Sequence, residues 1–254
     1  MITYKTAEEI ELLRISNLLV SKALAEVSKK IAPGVSTLEL DAIAEEFIRD
    51  HGAAPGFLGY RGYPKTLCTS INQQVVHGIP SSHVLKDGDI VSVDCGVLHQ
   101  GYFGDSAYTF AVGTISERVR LLLNTTREAL YKGIEQATDG KRTGDIGNAV
   151  QEHCEKQRFS VVREMVGHGI GKGLHEGPEI PNYGKRGHGV RLQEGMVVCI
   201  EPMINMGRPE IRTLDDKWTV VTADGSLSAH FEHTVLIEPG GPRLLTVAPV
   251  TTPV

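Results

Sequence analysis

Five side chains in this 254-residue sequence have the types and settings to hold metal ions: Asp94, Asp105, His168, Glu201 and Glu232. Asp94 and Asp105 lie in "VDCGVLHQGYFGDSAYTF" (93–110), which reads as two β-branched and aromatic runs folded about a turn, each with an aspartate where a buried strand should carry none. Taking an ionised carboxylate out of water costs on the order of several kcal/mol unless a cation compensates it. Glu232 repeats the anomaly inside "LSAHFEHTVLI", which reads as one strand, and Glu201 closes the apolar run "MVVCIE". His168 and His175 stand in "EMVGHGIGKGLHEGP", too rich in glycine for a helix and suited to a chain passing close to something bulky. Their separation does not match the H-E-x-x-H pair on one helix turn. Four strand carboxylates and one imidazole carry a charge of about −4, which two divalent cations would neutralise. Mostly oxygen donors with one nitrogen favour Mn, Fe, Co or Zn in an expanded shell over a closed structural zinc site. Two such ions can lower the pKa of a shared water and clamp both ends of a hydrolysis.

These residues come from distant parts of the chain, so the elements carrying them must converge. "LKDGDIVSVD" (85–94) lies over "LQEGMVVCIE" (192–201) without a gap, which aligns Gly88 with Gly195 and Asp94 with Glu201. Each stretch reads as a turn, then a buried strand, then a carboxylate at its end. Upstream, "APGVSTLELDAIAEE" lies over "TDGKRTGDIGNAVQE", aligning Gly34 with Gly140 and Thr37 with Thr143. Both follow amphipathic segments, 6–30 and 116–137, with apolar residues at helical spacing. Two matches in one order point to a duplicated unit of two helices followed by strands, with halves at about 1–113 and 114–240 and a tail at 241–254. The repeat is too long for a solenoid. A pseudo-twofold axis between the halves would bring Asp94 and Glu201 to equivalent positions about a shared centre.

Composition narrows the remaining classes. A net charge of −5 without a long Lys/Arg run argues against a dedicated nucleic-acid surface or a polybasic membrane patch. The four cysteines, Cys68, Cys95, Cys154 and Cys199, form no C-x-x-C and imply reduced thiols. The polar start "MITYKTAEEIELL" lacks a secretory apolar region, and no run is long enough to span a membrane, so the expected location is the cytoplasm.

"NQQVVHGIP", "VDCGVLHQGYFGDSAYTF", "GHGIGKGLHEGP", "VVCIEPMI" and "HFEHTVLI", in this order and spacing, resemble the type I methionine aminopeptidases of the pita-bread fold family. The resemblance covers about residues 60–237 and implies an α+β fold, with a curved antiparallel sheet, helices on its outer face and a single catalytic domain over 1–254. It implies a dinuclear metallo-exopeptidase that removes the initiator methionine from nascent chains before small uncharged second residues. Asp94 would hold one metal, Asp105 and Glu232 both, and His168 and Glu201 the other. Glu201 would also move the proton, while His77 and His175 would hold substrate and stabilise the tetrahedral intermediate. Tyr60, Tyr63, Cys68, Leu174 and Trp218 would line the methionine slot; Leu174 departs from the phenylalanine common there in bacterial relatives. The long insertion of type II relatives is absent between His168 and Glu201. The resemblance also implies a structural monovalent cation near Asn72 and Ser228. Transient association with ribosomes and a monomeric state complete these expectations.

The nearest enzymatic rival is a prolidase or aminopeptidase P, for whose separate N-terminal domain the 60 or so residues before "RGYPKT" leave no room; the non-enzymatic rival is a metal-free binding protein of the same fold, which should have lost its ligands. His51, His83, His99, His153 and His188 read as structural. His230 and His233 flank Glu232 on the same extended run and should face away from the metals. Glu176 and Glu179 read as solvated loop acids.

Overall fold

The computed structural model describes residues 1–247. Four long helices carry the fold: α1 (Ala7–Ser28), α2 (Thr37–Asp50), α3 (Glu117–Ile134) and α4 (Thr143–Lys156). α1 starts where the Thr6 side chain accepts from the Glu9 amide while Glu9 reaches back to the Thr6 amide, and Ser36 and Glu39 repeat this reciprocal cap on α2. Apolar faces of the helices pack on antiparallel strands: α1 on Ile90–His99 and Tyr102–Ala111, and α3 on α4 and on Val197–Ile200, Met203–Asn205 and Ser228–His230. Mixed helices and antiparallel ladders give the α+β class expected.

The duplication is visible in the backbone. α2 and α4 have equal length and begin at Thr37 and Thr143, the pair aligned in sequence. The Gly34 amide donates to the Leu85 carbonyl at 2.9 Å, and the Gly140 amide to that of Leu192 at 3.0 Å. In return Leu85 donates to Val35 and Leu192 to Lys141. The turn glycines Gly88 (φ 91°) and Gly195 (φ 82°) share the left-handed conformation that favours glycine.

In the first half, Ile90–His99 is bordered by Tyr102–Ala111 on one edge and by Leu67–Ile71 and Ala54–Pro55 on the other. The hairpin turns through Gln100 (φ 48°) and Gly101 (φ 82°), both left-handed, as a tight twisted two-residue connection requires. In the second half the order is Gly241–Leu244, His233–Glu238, Val197–Ile200, Gly167–Gly169, Glu176–Ile180. The boundary drawn at residue 240 falls inside a hairpin, since Gly241–Leu244 pairs with His233–Glu238. The remainder of the tail, 248–254, lies outside the described residues.

Two local expectations need correction. "LSAHFEHTVLI" is two strands, Ser228–His230 and His233–Glu238, belonging to different ladders and interrupted at Phe231–Glu232. Asp94 is inside its strand, which runs on to His99, whereas the Glu201 strand stops at Ile200 before Pro202, which has no amide to donate to a ladder.

Candidate active site

The two half-sheets meet along Tyr102–Ala111 and 230–234, and the side chains joining them place the carboxylates. Ser106 Oγ donates to the Glu232 carbonyl at 2.7 Å, Thr109 Oγ1 to that of His230 at 2.7 Å, and Thr234 Oγ1 to that of Asp105 at 2.8 Å. The Glu232 amide donates to the Ala107 carbonyl at 2.9 Å. Asp105 is fixed from behind, its amide donating to Asn17 Oδ1 of α1 at 3.1 Å. That bond needs a close approach of helix to strand at Gly104, where a Cβ would lie 2.6 Å from the Ser16 carbonyl carbon. Asp94 pairs with Ala107 and Asp105 with Gly96, so the aspartates are diagonal neighbours on one face.

His168 comes from the short strand Gly167–Gly169. Its Nδ1 lies 2.9 Å from the Gly169 carbonyl, which assigns the proton to Nδ1 and leaves the Nε2 lone pair free. Nε2 is 3.9 Å from Asp105 Oδ2 and 3.5 Å from Glu201 Oε1. Burial pushes the imidazole down to about 4, so it is a neutral donor at pH 7.

Three of the carboxylates each keep one oxygen without a protein partner. Asp94 Oδ1, Asp105 Oδ1 and Glu232 Oε1 are buried and accept no hydrogen bond. Burial raises all four acids: Asp94 rises to about 7, while Asp105, Glu201 and Glu232 are raised further by neighbouring carboxylates. Donor atoms of Asp105, His168, Glu232 and Cys199 all lie within 4.8 Å of one another. Orphaned oxygens, a free imidazole lone pair and mutually repelling acids are the environment a divalent cation satisfies, so the residues fit such a metal. Cys199 was not among the sequence candidates, although it lies two residues before Glu201, where an extended chain returns to the same side.

A cavity of about 280 Å³ opens from this cluster. Tyr60, Tyr63, Cys68, His77, Asp94, Asp105, His168, Leu174, His175, Glu201, Trp218 and Glu232, the full set of sequence candidates, lie on its wall. Phe57, Val76 and Met203 extend its apolar side, and Arg61 and Glu164 add charge to it; none of these five was assigned a role from the sequence. Trp218 meets Tyr63 edge-on at 5.0 Å, and the Tyr63 hydroxyl donates to the Leu67 and Gly78 carbonyls at 2.9 and 3.1 Å, which holds the slot open.

His175 Nδ1 is 2.9 Å from the Tyr60 hydroxyl, and its ring centroid is 4.3 Å from that of His168. Burial, reinforced by His168, Arg61 and His77, pushes His175 down to about 3. In the tautomer where Nδ1 accepts from the Tyr60 hydroxyl, the neutral ring carries its proton on Nε2, available for donation. His77, in the left-handed conformation (φ 60°), is also pushed down by burial.

Two surrounding residues, His230 and Glu176, differ from expectation. His230 does not turn away: the break at Phe231–Glu232 ends the strand alternation and leaves Nε2 buried, unpartnered and 3.7 Å from Glu201 Oε2. His233 does face away, with Nδ1 2.7 Å from Thr246 Oγ1 and Nε2 3.3 Å from the Tyr131 hydroxyl. Glu176 is no solvated acid; it pairs with Lys5 at 2.7 Å, both side chains largely buried. Glu179 is exposed, and none of His51, His83, His99, His153 and His188 lines the cavity. Asn72 and Ser228 are adjacent, the Ser228 amide donating to the Asn72 carbonyl at 2.9 Å.

Residues 11–239 match metallopeptidase family M24. The chain is 53% identical to a methionine aminopeptidase of Clostridium perfringens, over 97% of this chain and 99% of the relative. It is 51% identical to methionine aminopeptidase 1 of Bacillus subtilis, again over 97% and 99%. The crystal structure of methionine aminopeptidase from Rickettsia prowazekii superposes with a TM-score of 0.96 at 41% identity, over 97% of this chain and all of that one.

Proposed function

The chain belongs to metallopeptidase family M24, and from that premise we propose the reaction its site performs. It is a metallo-exopeptidase that removes the N-terminal methionine, in keeping with its full-length likeness to methionine aminopeptidases. The observation that carries the reading is the gathering of Asp94, Asp105 and Glu232, each with an unpartnered buried oxygen, on one cavity wall with His168 at the head of an apolar slot.

Asp94, Asp105, His168, Glu201 and Glu232 would hold two divalent ions drawn from Co, Mn, Fe or Zn. Ions bound there supply Lewis acidity toward the scissile carbonyl and lower the pKa of water. Glu201 takes the proton from the attacking water and returns it to the leaving amine nitrogen. His175 donates from Nε2 to the oxygen that gains charge at the scissile carbonyl, with the Tyr60 hydroxyl holding the ring at Nδ1. His77, neutral and on the cavity wall, contacts the amide on the leaving side. Tyr60, Tyr63, Cys68, Leu174 and Trp218 receive the flexible thioether, for which a largely apolar slot is suited. The substrate's α-amino group would bind the second metal or a nearby carboxylate, which would restrict cleavage to the first residue.

The finer reading extends to nascent chains bearing the initiator methionine before a small second residue, met in transient association with ribosomes. It places this one catalytic domain, built of two related halves, in the cytoplasm as a monomer. Among the described residues no helix is long and apolar enough to cross a membrane. Asn72 and Ser228, held together in the backbone, are the proposed seat of a structural monovalent cation. A panel of Met-Ala, Met-Gly, Xaa-Pro and Ala-Pro peptides tests the assignment: Met-Ala and Met-Gly should be cleaved, and cleavage of Xaa-Pro with Met-Ala left intact would overturn it.

A further inference from the structure

The loop that carries Leu174 and His175 is held from the opposite half of the molecule. Lys5, just ahead of α1, directs Nζ to Glu176 Oε2 at 2.7 Å, with only 5% and 14% of the two side chains exposed. Thr3 Oγ1 donates to the same Glu176 oxygen at 2.6 Å and also receives Lys5 Nζ. The other Glu176 oxygen accepts from the Gly173 amide at 2.9 Å, which closes the loop on itself around Leu174 and His175. The backbone repeats the attachment: Lys5 donates to the Gly195 carbonyl at 2.8 Å, Gly177 to that of Met1 at 3.2 Å, and Phe103 to that of Gly171 at 2.9 Å.

Gly171 gives an independent indication that the pair sets the local packing. A Cβ there would lie 2.5 Å from Lys5 Nζ and 2.6 Å from Glu176 Oε1, so a side chain at this position and the ion pair exclude each other. The pair draws Glu176 below the usual carboxylate range despite its burial, through Lys5, Thr3 and the Gly173 amide. A largely buried ion pair that also receives hydrogen bonds at both oxygens fixes its carboxylate in one place.

We propose that Lys5 and Glu176 are positioning residues for the reaction, pinning the loop so that Leu174 walls the methionine slot and His175 keeps its bond to Tyr60. This rests on the function proposed above. The pin acts through His175, so its loss should lower kcat through the displaced imidazole and raise KM through the loosened Leu174 wall. A misplacement on the scale of an ångström near the reacting atoms costs up to about a hundredfold in rate.

The test uses the metal-loaded protein and a Met-Ala-Ser peptide. Lys5→Met and Glu176→Gln should each lower kcat/KM by on the order of tenfold to a hundredfold, with bound metal unchanged. Lys5→Arg, which keeps the charge, should recover most of the loss. In a His175→Ala background Glu176→Gln should lower kcat by less than about threefold, because coupled residues are not additive. Imidazole NMR supplies a readout independent of turnover: Lys5→Met should shift or broaden the His175 resonances and leave those of His233 in place. If Lys5→Met does not fold, Thr3→Val, which strands no charge, should move the same resonances by less. Unchanged His175 resonances, or equal losses with and without His175, would overturn the pin. Perturbed His175 resonances in a protein inert toward Met peptides would support the pin and overturn the proposed function.

Discussion

Stripping the divalent ions should make stability fall as pH rises above about 6.5, and the sign of that slope separates the metal-site carboxylates from the buried histidines. His168, His175, His230 and His233 are pushed down to between about 3 and about 4. Between those values and the unfolded histidine pKa near ~6.5 the unfolded chain binds more protons, so they make stability rise with pH. Above that window they are neutral in both states and contribute no slope. The carboxylates act in the opposite sense. Asp94 is raised to about 7, and Asp105, Glu201 and Glu232 are raised well above the normal range, so the folded metal-free protein still holds protons that the unfolded chain has released. Each such proton gives a slope of about −1.4 kcal/mol per pH unit. At ~2–4 °C per kcal/mol for a chain of this size, one retained proton lowers Tm by about 3–6 °C per pH unit. Thermal unfolding followed by circular dichroism at pH 6.5, 7.0, 7.5 and 8.0, with chelator or with excess Mn, measures it. The metal-free slope should be negative and shallower in Asp94→Asn, and the Mn-loaded slope flat or positive, because coordination keeps the acids ionised. Equal slopes with and without metal would refute the reasoning.

Asp105→Asn or His168→Ala should abolish turnover of a Met-Ala peptide while the circular dichroism spectrum stays native; full activity in either would contradict their assignment. Tyr60→Phe removes the bond that holds the His175 ring at Nδ1, and a neutral hydrogen bond worth ~0.5–1.5 kcal/mol predicts a fall in kcat of about twofold to tenfold by peptide assay, with metal content unchanged. Gly104→Ala forces a methyl group against the α1 backbone at Ser16 and Asn17, where no flexible side chain can yield. Overpacking of this kind costs ~1–3 kcal/mol, visible as a lower denaturant midpoint together with weaker metal binding, since Asp105 hangs from Asn17.

The duplicated unit was legible because its signals are local. Turn glycines at 88 and 195 and helix starts at Thr37 and Thr143 survive as a pattern in one chain, and the structure repeats the hydrogen bonds between Gly34 and Leu85 at Gly140 and Leu192. The four acids among the metal-site candidates stood out for the same reason: an acid in an apolar run is costly. What escaped notice depends on tertiary contact. Glu176 looked like a loop acid because its partner, Lys5, is far away in sequence and nothing near Glu176 announces it. His230 was misplaced because alternation was carried across a strand that breaks at Phe231–Glu232. Cys199 passed for an apolar core residue, its usual role, and only the convergence of two half-sheets sets its sulfur beside Asp105 and Glu232. Phe57 and Arg61 join the cavity through the turns of 54–63, whose path no periodicity specifies.

The central claim is that the two halves of the chain deliver their acids to one point where divalent ions bind. Anomalous diffraction from crystals grown with manganese tests it most directly. Two peaks should appear, one against Asp94 and one against His168 and Glu201, both within reach of Asp105 and Glu232, and both should vanish in Asp105→Asn. Crystals with no anomalous density among these five residues would contradict the account.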